Sequence, residues 1–167
     1  MNTISMKEML RAELDREAIA TRKALERVPA GKGDWKPHEK SSPLGKLAAH
    51  VATLPHGIAM VVKDDVMEAG GHRPAEPLAT AAELVAAFDK YLTEAKTALE
   101  AVSEEDLAKQ WTLTFQGKKI MEMPKYNAVQ MIFINHLIHH RAQLGVYLRL
   151  NGVPVPASYG PSADEPQ

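Results

Sequence analysis

The 167-residue chain contains no cysteine. Disulfides, thiolate metal ligands and a cysteine nucleophile are therefore excluded. Any metal must be held by imidazole and oxygen donors, and any thiol chemistry must use a thiol supplied from outside. The chain also lacks a basic field, since 20 Lys and Arg stand against 21 Asp and Glu, for a net charge of -1. With no electrostatic footprint for a polyphosphate backbone, nucleic-acid binding is not expected. No run is apolar enough for a membrane helix or a signal-peptide core, and Met1 to Lys7 leads straight into a mixed pattern. A cytoplasmic location, away from membranes, is the expectation.

What is present suits one soluble domain with one core: 45% of residues are hydrophobic and 25% charged. Leu10, Leu14, Ala18, Thr21, Leu25 and Val28 recur at three- and four-residue steps, which predicts a helix over 5–28, ended by Pro29, Gly31 and Gly33. A second helix is predicted over 42–65. Ser42 serves as its N-cap, Pro43 takes the first helical position, and Leu44, Leu47, Val51, Leu54 and Ile58 mark one face. Pro55 should kink that helix or end its first half. The segment from Val66 to Ala79 reads as a connecting loop. Thr80 with Glu83 forms a capping-box pattern ahead of a third helix over 80–102, and Ser103 opens a short acidic turn. Trp111 to Phe115 alternates and is followed by Gln116-Gly117, which predicts a small hairpin or extended flap. The last helix runs over 125–150 and stops at Asn151-Gly152. The expectation is an all-α, four-helix domain over 1–152 with an extended or loose tail over 153–167.

The last helix carries Asn135-His-Leu-Ile-His-His-Arg141. His136 and His140 are four residues apart, so their imidazoles project from one side of a helix and can reach one ion. The same spacing also suits two polar residues near solvent. Val129, Ile132, Phe133, Leu144 and Tyr147 flank the pair, so its stripe should point inward, where two uncompensated imidazoles are costly. His50 lies among Leu47, Val51 and Leu54 on helix two. It reads as a core histidine bonded to a neighbour, or as a third ligand if helices two and four are adjacent. Three neutral nitrogens leave positions open for water and substrate, the pattern of a catalytic zinc-type site. His139 competes with His140. At about 100° per residue, His140 lies roughly 40° from His136 and His139 roughly 60° on the other side. Geometry permits either, and the apolar neighbours favour His140. Glu17 could approach the ion, although a salt bridge also explains it. His38, His56 and His72 read as surface residues. Arg141 and Gln143 border the site.

The run Trp35-Lys-Pro-His-Glu-Lys-Ser-Ser-Pro-Leu-Gly-Lys-Leu-Ala-Ala-His50 resembles the segment before the first metal histidine of DinB/YfiT-like proteins. The run Asn135-His-Leu-Ile-His-His-Arg-Ala-Gln143 is similar to that family's final-helix motif, and the tail from Val155 to Glu165 looks like a frequent ending of such chains. The resemblance implies an up-and-down four-helix bundle of variant handedness. It also implies a divalent ion, zinc or nickel, on His50, His136 and His140, and a homodimer. Met131, Ile134 and Leu137, apolar and away from the main stripe of the last helix, accord with the dimer. Gly57 departs from the pattern, because an aromatic often follows the Leu-Pro step there. The implied activity is metal-dependent chemistry on a small molecule, by hydrolysis or by transfer of a low-molecular-weight thiol. The alternative is a non-catalytic metal- or ligand-binding helical dimer module. A fourth protein ligand such as Glu17 would close the site and favour the second reading.

Overall fold

The computed structural model describes residues 5–70 and 78–166. The chain is mostly helical, with one small sheet. The order is α1 (Met6–Glu26), α2 (Leu44–Lys63), β1 (Val66–Glu68), α3 (Ala81–Ala101), α4 (Glu104–Ala108), β2 (Gln110–Phe115), β3 (Lys118–Pro124) and α5 (Lys125–Ala128). A π-helical stretch, Val129–Ile134, then runs on into α6 (Asn135–Leu150).

Side-chain caps account for three of the helix starts, α1, α3 and α4. Ser5 with Glu8 and Thr80 with Glu83 form reciprocal capping boxes, each satisfying two otherwise orphaned N–H groups. Ser103 caps the three-carboxylate first turn of α4, where the acidic residues also suit the positive end of the helix. α2 begins one residue later than expected: Pro43 is the N-cap and makes no side-chain cap bond. The carbonyl of the expected cap, Ser42, instead accepts from the Tyr147 hydroxyl at 3.2 Å. Pro55 does not divide α2, which continues unbroken through it. The lost backbone bond is offset by burial on two sides, because α2 packs on both α3 and the last helix. Its buried set, Leu44, Leu47, Ala48, Val51, Ala52, Leu54, Ile58 and Val61, covers both faces.

The remaining packings join α1 to α3 and α1 to α6. α2 and the last helix run antiparallel. Four contacts along the pair fix that register. The Lys125 ammonium caps the Val62 carbonyl at 3.1 Å, and Gly57 lies under the Phe133 ring. His50 meets His136 and His140, and Ser42 meets Tyr147. The adjacency needed to bring His50 to the other two histidines is therefore present.

The π-helical stretch departs from the expected continuous α-helix. Asn135 N–H bonds to the Gln130 carbonyl five residues back, and the extra residue turns α6 by roughly 100° relative to an unbroken α-helix. Ile134 and Leu137, seven residues before Arg141 and Leu144 and on the same face, point into the core at 0% and 1% exposure and do not form part of an outer apolar surface; Met131 stays exposed. The buried stripe of α6 is Leu137, Arg141, Leu144 and Leu148. His136 and His140 stand at its edge and are half-buried.

The expected hairpin is β2–β3, antiparallel from Gln110↔Pro124 to Phe115↔Lys118, with an irregularity at Leu113/Thr114. Its two-residue turn places Gln116 and Gly117 at φ 50° and 72°, the left-handed pair that matches strand twist. The Glu68 carboxylate holds Gln116 N–H and the Thr114 hydroxyl, which helps keep a non-glycine residue in that conformation. β1 adds a third, parallel strand beside β2, inside the segment expected to be loop. Residues 71–77 of that expected loop, with His72, lie outside the described residues.

Among the described residues the tail after Gly152 has no helix or strand, and it is tied down. Asp164 pairs with Arg149, Glu165 pairs with Arg27, and the Ser162 hydroxyl donates to the Val155 carbonyl at 2.6 Å.

Candidate metal centre

The antiparallel register of α2 and α6 gathers His50, His136 and His140. One ring nitrogen of each lies within 4.8 Å of the others, and the ring centroids are 4.5–5.1 Å apart. His136 and His140 are one helical turn apart on α6, and His50 approaches both rings edge-on from α2.

The hydrogen bonds settle which nitrogens face inward. His136 Nδ1 lies 3.2 Å from the Ile132 carbonyl, which can only accept, so the ring proton sits on Nδ1. His140 Nδ1 lies 2.7 Å from Gln143 Oε1, another acceptor. Both Nε2 atoms then carry bare lone pairs, and they are 2.7 Å apart. Two lone pairs at that separation repel unless a cation or a proton lies between them. Protonation is disfavoured here. Burial first, then neighbouring imidazoles, lowers the pKa of His136, and burial first does the same for His140. His50 is exposed as a residue, yet burial of its ring, followed by His140, His136 and Lys46, brings it down to about 4. The arrangement suits a metal ion: neutral rings, protons parked outside, lone pairs converging.

Among the described residues no carboxylate or further imidazole joins the three. Glu17 is buried but points elsewhere. Its Oε2 pairs with Arg141 at 2.7 Å and its Oε1 accepts from the Tyr159 hydroxyl at 2.7 Å. Glu17 is therefore not a fourth ligand, and Arg141 is its buried ion-pair partner. His139 is exposed on the flank, its ring 4.8 Å from that of His140.

A family model for the DinB family matches residues 1–167. The chain belongs to the DinB family. A relative in Bacillus subtilis strain 168, an uncharacterised protein called YrdA, is 31% identical over 154 residues, which is 89% of this chain and 85% of that protein. Crystal structures of DinB-like proteins share the fold. One from Bacillus cereus has a TM-score of 0.72 at 24% identity, over 91% of this chain and 97% of that one. Another, YjoA from Bacillus subtilis, has 0.68 at 22%, over 95% and 99%.

In this DinB-family chain His38 and His56 lie apart from the cluster. His38 is exposed and accepts from Lys40 N–H. His56 was expected at the surface but is half-buried, with Nδ1 2.9 Å from Glu94 of α3 and its ring 4.8 Å from that of Tyr91. The Leu54-Pro55 step continues the helix, so His56 turns toward α3 instead of facing solvent at a break. The space that an aromatic at position 57 would fill is taken by Phe133 from the last helix. Two surface hollows, about 440 and 520 Å³, lie along α1 and the last helix, away from the cluster. The cluster itself is open to solvent on the His50 side. Lys46 was missed in the sequence. It stands one turn before His50 on α2, close enough to repel a proton from that ring.

Proposed function

We propose that this chain is a divalent-metal-dependent enzyme acting on a small molecule, with His50, His136 and His140 as ligands and zinc or nickel as the ion. One observation carries the reading: two Nε2 lone pairs 2.7 Å apart beside a third neutral ring, with the Nδ1 protons of His136 and His140 already given to acceptors. When bound, such an ion supplies Lewis-acid chemistry, polarising a substrate or lowering the pKa of water or a thiol. The chain's own part is to hold three imidazoles neutral and aimed at one point. Ile132 and Gln143 set the tautomers of His136 and His140. The engagement of Glu17 with Arg141 and Tyr159 supports an open site, since it leaves the coordination sphere short of a fourth protein ligand. Hydrolysis and transfer of a low-molecular-weight thiol are the two reactions of this class, and the thiol would come from solution because the chain has no cysteine.

A second reading, a non-catalytic metal- or ligand-binding helical dimer module, is favoured by one feature. Among the described residues no carboxylate stands at the cluster to act as an acid or base. Turnover separates the two readings. We further propose that the four long helices form an up-and-down bundle of variant handedness as one domain over 1–152. The chain works in the cytoplasm as a homodimer, without contact to nucleic acid or membrane. Elemental analysis of the purified protein, followed by assays of zinc- and nickel-loaded samples, tests the main proposal. About one ion per chain is expected. A chain that retains neither metal after dialysis contradicts it, and light scattering checks the dimer.

A further inference from the structure

The cluster has a charge problem that the chain does not solve. Three neutral imidazoles contribute nothing against the charge of a divalent ion, and no Asp or Glu among the described residues joins them. Positive charge is instead added. Lys46 lies four residues before His50, on the same side of α2 and about 6 Å along the axis. Its ammonium is exposed and makes no ion pair or hydrogen bond among the described residues. The antiparallel register that sets His50 against His140 and Ser42 against Tyr147 brings Lys46 to the level of Gln143. Gln143 Oε1 is committed to His140, so its two amide N–H donors have no partner among the described residues. Beyond them, Trp35 packs edge-on against Tyr147, with ring centroids 5.6 Å apart. The open side of the cluster thus offers the Lys46 ammonium and the Gln143 amide N–H groups as donors.

We propose that Lys46 and the Gln143 amide form an anion subsite beside the cluster, so that the small molecule taken here carries a carboxylate about one helical turn from its reacting atom. This rests on the metal reading. Lys46 is then a specificity-determining residue whose effect is on binding and not on metal retention. The test loads the full chain with cobalt(II) and follows its absorption spectrum during titration with 3-mercaptopropionate or with the uncharged 3-mercaptopropanol. In Lys46→Gln the preference for the carboxylate over the alcohol should fall by about fivefold, the size of one solvent-facing charge pair. Affinity for the alcohol and for cobalt should stay within about twofold on the same scale. Lys46→Arg should keep the preference, and Lys46→Glu should lose more of it. A chain that binds cobalt but shows the same preference in Lys46→Gln overturns the subsite alone. A chain that gives no cobalt spectrum overturns the metal reading and the subsite with it.

Discussion

Gly57 offers the sharpest structural perturbation. A Cβ built there would sit 1.8 Å from Phe133 Cε1, 2.3 Å from Cδ1 and 2.4 Å from Cζ. Carbon atoms need about 3.5–4.0 Å, so the ring edge must retreat by roughly 1.5–2 Å. Phe133 is 8% exposed and lies at the edge of the core, with little room to move. Overpacking of this kind costs about 1–3 kcal/mol, and the size of the displacement points to the upper end. Alanine regains about 1 kcal/mol over glycine inside a helix. The net expectation for Gly57→Ala is a loss of about 2 kcal/mol, or a Tm lower by roughly 4–8 °C for a chain of this size. Urea melts and calorimetry measure it. A double-mutant cycle with Phe133→Leu identifies the cause: the glycine substitution should cost less on the leucine background, with a coupling of about 1 kcal/mol or more. If Gly57→Ala is as stable as the parent, or the two effects add, the reasoning is wrong.

Two further outcomes concern the buried groups. Glu17→Ala should lower stability by about 3–5 kcal/mol, because it strands the Arg141 guanidinium, which is 6% exposed. The folded fraction should still bind metal at full stoichiometry, and loss of metal in that fraction would reinstate Glu17 as a ligand. Acid should weaken the metal-free chain in a defined window. The three imidazoles are held below the ordinary value of 6.5, His50 to about 4, so the unfolded chain takes up protons first. Stability is full above about pH 6.5 and declines as pH falls toward 4. Replacing His50 by Gln should flatten part of that decline in chemical melts.

The long helices were legible because their signals are local. Thr80 and Glu83 satisfy each other within one turn, and Gln116-Gly117 takes the left-handed pair that its hairpin demands. The histidine cluster was legible through spacing and resemblance, and the two α6 histidines needed only one helix to face the same way. What the sequence concealed depends on distant partners. β1 is three residues long and exists through its register with Thr112 to Thr114, nearly fifty positions on. Pro43 rather than Ser42 stands at the N-cap of α2, and the Ser42 carbonyl meets a tyrosine from another helix. The π-helical stretch has no composition of its own. Ile134 and Leu137 lie seven residues before the buried Arg141 and Leu144, so their inward face was already present in the periodicity, and their burial removes two of the three residues that had suggested an outer apolar surface. Glu17 could be placed near the core from its periodicity, but only the fold reveals that Arg141 and Tyr159 claim both its oxygens.

The central claim is that His50, His136 and His140, and not the neighbouring His139, hold one divalent ion. Metal content by mass spectrometry, measured on purified His140→Ala and His139→Asn alongside the parent, with circular dichroism confirming that each is folded, tests it most directly. The parent should carry about one ion per chain, His139→Asn should retain it near full occupancy, and His140→Ala should lose it. Equal loss in both folded variants, or none in His140→Ala, would contradict the account.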